Sequence, residues 1–505
     1  MSRIHNAKRN IKWGIISKGV NMGSPFILRT AVIYLIGNEY LGLDSLFTSI
    51  LQMLNMAELG VGSAIVFSMY KPLADNKTDV VCALLGLYRK IYRIIGFLVL
   101  GISIAIVPIL PRLIKSGIPE DVNLYVLYSL FVINTVLGYW MFAYKKSILS
   151  ACQREDILSK VSTTIVLFKS IIQIILLFGF HNYYIYLIVM PIATIVENIT
   201  ADMITRRLFP IYVPSGKVQK DKIKNIKKSI RGLMIQRICS TSRNAMDNII
   251  ISAYIGLSMV TIYGNYIYII LAIHGILSGM ANSILGVVGN TVAKNTPESN
   301  YKDMMLFNFM YMIPASFCTV LLLCVFQPFM TIWMGEDMLF PMSIVILICV
   351  YFYSLCIGDI RSTYYNACGL WYEGRFRSIA EALSNLILNI VLGRVLGITG
   401  IIIATLFSII IINFGYGSTI IHRYYFKGIS SAFFYFTHIY YAFVTALGCA
   451  VSYKICIRIN LSGMVQIIIN GLICLIVMSL VMILFYHRLS VFKQSIFFIK
   501  RAKAK

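Results

Sequence analysis

Seven acidic and seven basic side chains lie inside otherwise apolar stretches of this 505-residue chain. A charge in hydrocarbon costs about 2.5–3.5 kcal/mol on insertion scales, so each is expected to have either a partner or a task. The embedded acids are Asp44, Glu58, Glu197, Asp202, Asp247, Asp359 and Glu381, and the embedded bases include Arg29, Arg237, Arg243 and Arg361. A guanidinium donates bidentately and stays charged when desolvated, which suits phosphate, so these four arginines are candidates to hold a diphosphate in a cavity. Glu58, Asp247, Asp44 and Asp359 are candidates to carry a coupling proton or cation. Each acid equally suits a simple ion pair with a neighbouring helix, Arg29 with Glu58 for example, and equal numbers of acids and bases leave the sign of any cavity open.

Spacing sharpens the candidates. Lys18, Met22, Pro25 and Arg29 share one helical face, and Asp44, Thr48, Asn55, Glu58 and Gly62 run down another. The stretch 230–254 is the most polar, with Gln236, Ser240, Arg243 and Asp247 on one face and Arg237, Thr241, Asn244 and Asn248 beside it, as expected of a helix lining water or protein. His274, Ser278 and Asn282 follow at four-residue steps; a lone histidine there reads as a satisfied core residue or a proton carrier. Tyr351, Ser354, Gly358, Arg361 and Tyr365 lie together near Asp359, whereas Glu381, Asn385 and Asn389 suit hydrogen bonds between helices. No hydrolase elbow, Walker loop, zincin motif or Cys/His pair at metal spacing occurs, so neither an enzyme nor a cofactor or metal is expected. The eleven cysteines read as small buried hydrophobes.

The elements that must position these groups are membrane helices. Hydrophobic residues make up 58% and charged residues 13%, with a mean hydropathy of +0.79, which excludes a soluble domain. Fourteen apolar segments are expected, at 13–36, 41–69, 91–111, 122–144, 157–179, 183–204, 230–254, 259–288, 305–328, 342–366, 378–396, 399–421, 433–456 and 464–486. With the N-terminus in the cytoplasm, 34 of the 45 Lys and Arg fall at inside ends and four outside. That asymmetry predicts both termini cytoplasmic, and it explains the net charge of +25 without nucleic acid. The polar interruption 206–231 divides the helices into an N-terminal lobe at 1–212, a basic linker at 213–229 and a C-terminal lobe at 230–428, with a terminal pair and basic tail at 429–505. Equal parity of the two six-helix halves permits parallel repeats around a midplane site.

Three stretches carry a resemblance: Asn38–Leu43 through Leu54–Gly62 to Tyr70–Ala74; Phe142–Lys146 followed by Ala151–Arg154; and Gly369, Leu370, Glu381 and Asn385 with Leu396–Ile401. On these the chain resembles the Wzx-like polysaccharide flippases of the multidrug/oligosaccharidyl-lipid/polysaccharide (MOP) exporter superfamily. The resemblance implies an all-α fold of two alternating lobes plus a terminal helix pair in a bacterial cytoplasmic membrane. It implies a function of moving an undecaprenyl-diphosphate-linked oligosaccharide to the outer leaflet, driven by an ion or the membrane potential. Implied partners are that lipid-linked oligosaccharide, membrane lipids and other membrane proteins of polysaccharide assembly. Cation-exporting relatives tend to carry an acid on the first helix; here that helix has Arg29 and no acid, which favours an anionic substrate. A cation-coupled multidrug antiporter is the alternative.

Overall fold

A computed structural model describes residues 3–58, 61–218, 238–239, 241–243, 245–459 and 461–503. All regular structure among them is helical, and ten helices between Thr78 and Tyr486 are long and apolar enough to cross a bilayer. Two shorter apolar helices, Ala64–Ala74 and Leu124–Trp140, accompany them. Rows of exposed apolar side chains, such as Phe168, Ile175 and Phe178 or Ile468, Ile476 and Leu480, are what a surface facing acyl chains requires. The chain is an all-α, multi-span membrane protein.

Two compact units arise, Met1–Thr261 and Ile262–Lys505. In the first, α1 (Arg3–Leu35) packs along α7 (Glu155–Phe180), which lies on α8 (Tyr183–Leu208). Helices α2 (Asn38–Leu54), α3 (Val61–Ala74), α4 (Thr78–Ile106) and α5 (Leu124–Trp140) surround a core in which Leu46, Phe47, Leu127 and Tyr128 are buried. The helical residues 245–254, α9, belong to this unit: Ser252 donates to the Leu113 carbonyl at 2.7 Å, and Asn248 donates to Ser49 at 3.0 Å. The expected boundary at 213–229 falls partly outside the described residues.

Helices α10 (Leu257–Ser283) and α11 (Leu285–Lys294) lead into α12 (Pro297–Met334), around which the second unit is built. Against α12 pack α18 (Ser431–Cys456) and α19 (Gly463–Tyr486). Beside them stand α13 (Met342–Cys356), α14 (Asp359–Ala367), α15 (Arg375–Leu396), α16 (Ile398–Phe407) and α17 (Gly417–Tyr424). A nine-residue π-helical segment, Ser408–Tyr416, joins α16 to α17. Such widened turns displace side chains and often mark functional sites.

One span expected to be continuous is broken, and another ends in a turn where its expected limit lies. The stretch 41–69 ends its first helix at Leu54 and passes through a 3₁₀ turn, Asn55–Glu58, before α3 begins. The stretch 122–144 stops at Trp140, where Phe142 adopts a left-handed backbone (φ 54°), and a 3₁₀ turn at Ala143–Lys145 leads into the short helix α6, Lys146–Ala151. Backbone opened at membrane depth is tolerated where it lines a polar cavity or is covered by protein.

Close backbone approach explains two glycines of the resembling stretches. A Cβ on Gly42 would sit 2.4 Å from the Leu257 carbonyl oxygen, and one on Gly400 would sit 2.1 Å from that of Leu392, across the α15–α16 hairpin. Gly400→Val is therefore expected to force the hairpin apart at a cost of about 1–3 kcal/mol. Thermal unfolding in detergent, read against wild type, should show a clear loss of stability; an unchanged midpoint would contradict the contact.

Candidate functional site

The two helix breaks open onto one cavity of about 770 Å³ in the first unit. Asn55 and Glu58 reach it from the first break, Ser147 and Ser150 from the short helix after the second, and Tyr88, Tyr92, Asn134, Tyr139, Lys146, Thr194 and a second carboxylate, Glu155, are among its other polar lining residues. Helical spacing puts Tyr88 and Tyr92 one turn apart on α4, so both rings face the break. The Tyr88 hydroxyl donates to that of Tyr92 at 2.7 Å, and Tyr92 donates to the Glu58 carboxylate. Tyr139 donates to Asn55 Oδ1 at 2.9 Å, and its ring lies 5.5 Å from that of Tyr92. Glu58 therefore lies in a polar, tyrosine-rich chamber with a hydroxyl chain leading to it. A carboxylate so placed can exchange its tyrosine donor for a proton or a small cation.

Lys146 and Lys145 are committed elsewhere. Lys146 Nζ pairs with Glu197 at 2.7 Å at the cavity wall. Lys145 Nζ pairs with Asp202 at 2.6 Å, both side chains being less than one-tenth exposed, and Arg206 Nε holds the second oxygen of Asp202 at 2.9 Å. The turn 143–145 is thus clamped to α8, which accounts for the paired lysines of the second resembling stretch. Removing one member of a buried pair strands its partner, at a cost of about 3–5 kcal/mol. Asp202→Asn is expected to lower the amount of folded protein sharply; normal abundance and an unshifted melting midpoint would show that the clamp is dispensable.

The remaining candidates fall into separate groups. Asp44 on α2 lies within electrostatic reach of Arg29 on α1 and of Lys169 on α7, with Tyr183 and Tyr186 beside it. Lys169 also feels Glu197. The expected Arg29–Glu58 combination is not the one formed: Asp44 takes the place of Glu58 beside Arg29, because the break at Asn55 turns Glu58 toward α4. Arg243 is half-buried and Asp247 buried, both in the first unit, whereas Arg237 lies outside the described residues.

In the second unit Asp359 receives Tyr311, and His274 Nε2 lies 3.0 Å from its Oδ2. The lone histidine is therefore satisfied by a carboxylate. Arg361, two residues further on, is 1% exposed. Its Nη2 donates to both the carbonyl and the side-chain oxygen of Asn413, at 3.1 and 2.9 Å, and Asn413 in turn donates to Glu381 at 2.8 Å. Asn413 belongs to the π-helical segment, so Arg361 staples that segment to α14. Gly417 leaves the space, since a Cβ there would stand 2.4 Å from Arg361 Nη1.

The sequence reading missed Tyr88, Tyr92 and Tyr139. Tyr88 and Tyr92 carry a signal, polar tips at i and i+4 in an apolar span, but Tyr139 comes into range only through the fold.

No protein-family model and no curated protein matches the sequence. Among solved structures, a lipid II flippase, MurJ, in an inward closed conformation superposes with a TM-score of 0.71 at 14% identity, covering 95% of this chain and 99% of that one. A mutant of the Vibrio cholerae MATE transporter VcmN gives 0.58 at 16% identity, covering 83% of this chain and 97% of that one. An inward-facing multidrug resistance MATE family transporter of the MOP superfamily gives 0.59 at 14%, covering 79% and 94%. The chain thus has the transporter fold common to these proteins.

Proposed function

We propose that this protein flips a lipid-linked oligosaccharide carrying a diphosphate from the cytoplasmic to the outer leaflet of a bacterial plasma membrane, for the synthesis of a cell-surface polysaccharide. The observation that carries this reading is the extent of the likeness. A lipid flippase accounts for 95% of the chain, whereas the MATE transporters account for 79–83%. Support also comes from Arg29, the one charged residue in the membrane-spanning part of α1 besides Lys18, where a cation exporter would be expected to place an acid.

In this reading Arg29 and Arg243 attract the diphosphate, and Glu58 is the coupling carboxylate. Arg361 is assigned to holding the π-helical segment, and Asp359, Asp247 and Asp44 are assigned to pairing or to a secondary coupling role. When Glu58 takes a proton or cation it no longer needs the Tyr92 hydroxyl, and the two helix breaks around the cavity are free to repack. A ligand shifts such an equilibrium only by its differential affinity for the two arrangements, and the Glu58–Tyr92 contact supplies that difference.

The experiment is a deletion strain complemented with wild type, Arg29→Ala or Glu58→Ala. Build-up of inner-leaflet lipid-linked glycan that wild type alone relieves supports the flippase. Normal precursor levels, with drug efflux that depends on Glu58, would instead establish the antiporter.

A further inference from the structure

Three cysteines far apart in sequence meet inside the second unit. The Sγ atoms of Cys324 on α12, Cys456 at the end of α18 and Cys474 on α19 all lie within 4.8 Å of one another, and the three residues are 5%, 5% and 1% exposed. The helices that carry them are locked in register. Asn470 Nδ2 donates to the Cys324 carbonyl at 3.1 Å, tying α19 to α12. Gly448 lets α18 approach α19 so closely that a Cβ would stand 2.4 Å from Met478 Sδ. The fully buried hydroxyl of Ser452 borders Cys474.

We propose that this thiol triad is a binding site for a single thiophilic monovalent metal ion, Cu(I). Geometry comes first. An ion at the centre of an equilateral sulfur triangle sits at the side length divided by the square root of three, so metal–sulfur bonds of about 2.3 Å need sulfurs roughly 4.0 Å apart. The observed spacing accommodates that with sub-ångström adjustment. Ligand chemistry comes second: soft thiolates select Cu(I), whereas structural zinc sites close a tetrahedron with four ligands, and among the described residues three cysteine sulfurs converge here. On binding, the thiols that become thiolates release their protons to solvent, and the ion is neither oxidised nor reduced. Three packed helices hold the donors, so the site is organised before the ion arrives.

The test uses the full-length protein in detergent under anaerobic conditions, competing with a chromophoric chelator preloaded with Cu(I). One equivalent should pass to wild type. Cys324→Ser, Cys456→Ser and Cys474→Ser should each weaken capture by at least about a hundredfold, since loss of even an outer-shell partner costs 10–100-fold, and Cys82→Ser in the first unit should not. No transfer to wild type, or an equal loss with Cys82→Ser, overturns the proposal. Should the serine variants fail to fold, X-ray absorption on the loaded wild type decides: three sulfur neighbours near 2.3 Å support the site, and nitrogen or oxygen neighbours overturn it. Zinc captured more tightly than Cu(I) would overturn the identity of the ion.

Discussion

Replacing Glu58 with glutamine is expected to reduce coupled transport sharply while leaving the fold intact. Glutamine keeps an oxygen that can accept from Tyr92, and Glu58 is half-buried at the wall of an open polar cavity, so little packing is lost. What disappears is the charge that a proton or cation would neutralise. Couplings between two ligand sites are typically about 1–3 kcal/mol, so transport should fall roughly 5- to 150-fold. Tyr92→Phe removes only the hydroxyl that competes for the carboxylate, so it should alter the ion dependence of transport more than its maximal rate. The measurement is precursor accumulation in the complemented strain beside a melting curve of each purified variant. Wild-type flux from Glu58→Gln would remove Glu58 from the mechanism.

The second large effect separates two arginines that sequence alone treats alike. Arg361→Ala is expected to cost about 3–5 kcal/mol and to deplete folded protein, because it empties a large buried volume and releases Asn413 and the π-helical segment from α14. Arg361→Lys should recover little, since a lysine has a single ammonium and cannot reproduce the planar fork. Arg29→Ala, at a half-buried position beside Asp44, should yield folded protein that transports poorly. Abundance, melting midpoint and precursor build-up, measured together on the three variants, divide the cases. A stable but inactive Arg361→Ala would return that residue to the substrate path.

Much of the fold was legible because a bilayer leaves few options. Apolar length and the Lys/Arg asymmetry pointed to membrane helices before any contact was known. The turn at Ala143–Lys145 falls where Lys145 and Lys146 end the expected span, whereas the break at Asn55–Glu58 was not legible, because a 3₁₀ turn between two apolar helices changes composition very little. That is also why Glu58 was matched with Arg29, since a continuous helix keeps Asp44 and Glu58 on one stripe and the observed break does not. Residues that act through the fold left the faintest traces. Asn413 reads as an ordinary polar residue in an apolar run until the widened turn brings it to Arg361, and Cys324, Cys456 and Cys474 have no spacing in common. By contrast, the Phe142–Lys146 stretch was recognisable from sequence, and the structure supplies its reason in the clamp of Lys145 and Lys146 onto Asp202 and Glu197.

The central claim is that the substrate is an anionic lipid-linked glycan. Purified protein reconstituted into liposomes that carry an undecaprenyl-diphosphate oligosaccharide tests it directly, with an impermeant glycan-modifying enzyme added outside. Half of the lipid should be accessible in protein-free vesicles, and wild type should expose the remainder while Glu58→Gln does not. If the inner pool stays protected with wild type, and the same vesicles instead exchange a cationic drug for protons or sodium, the flippase account is contradicted.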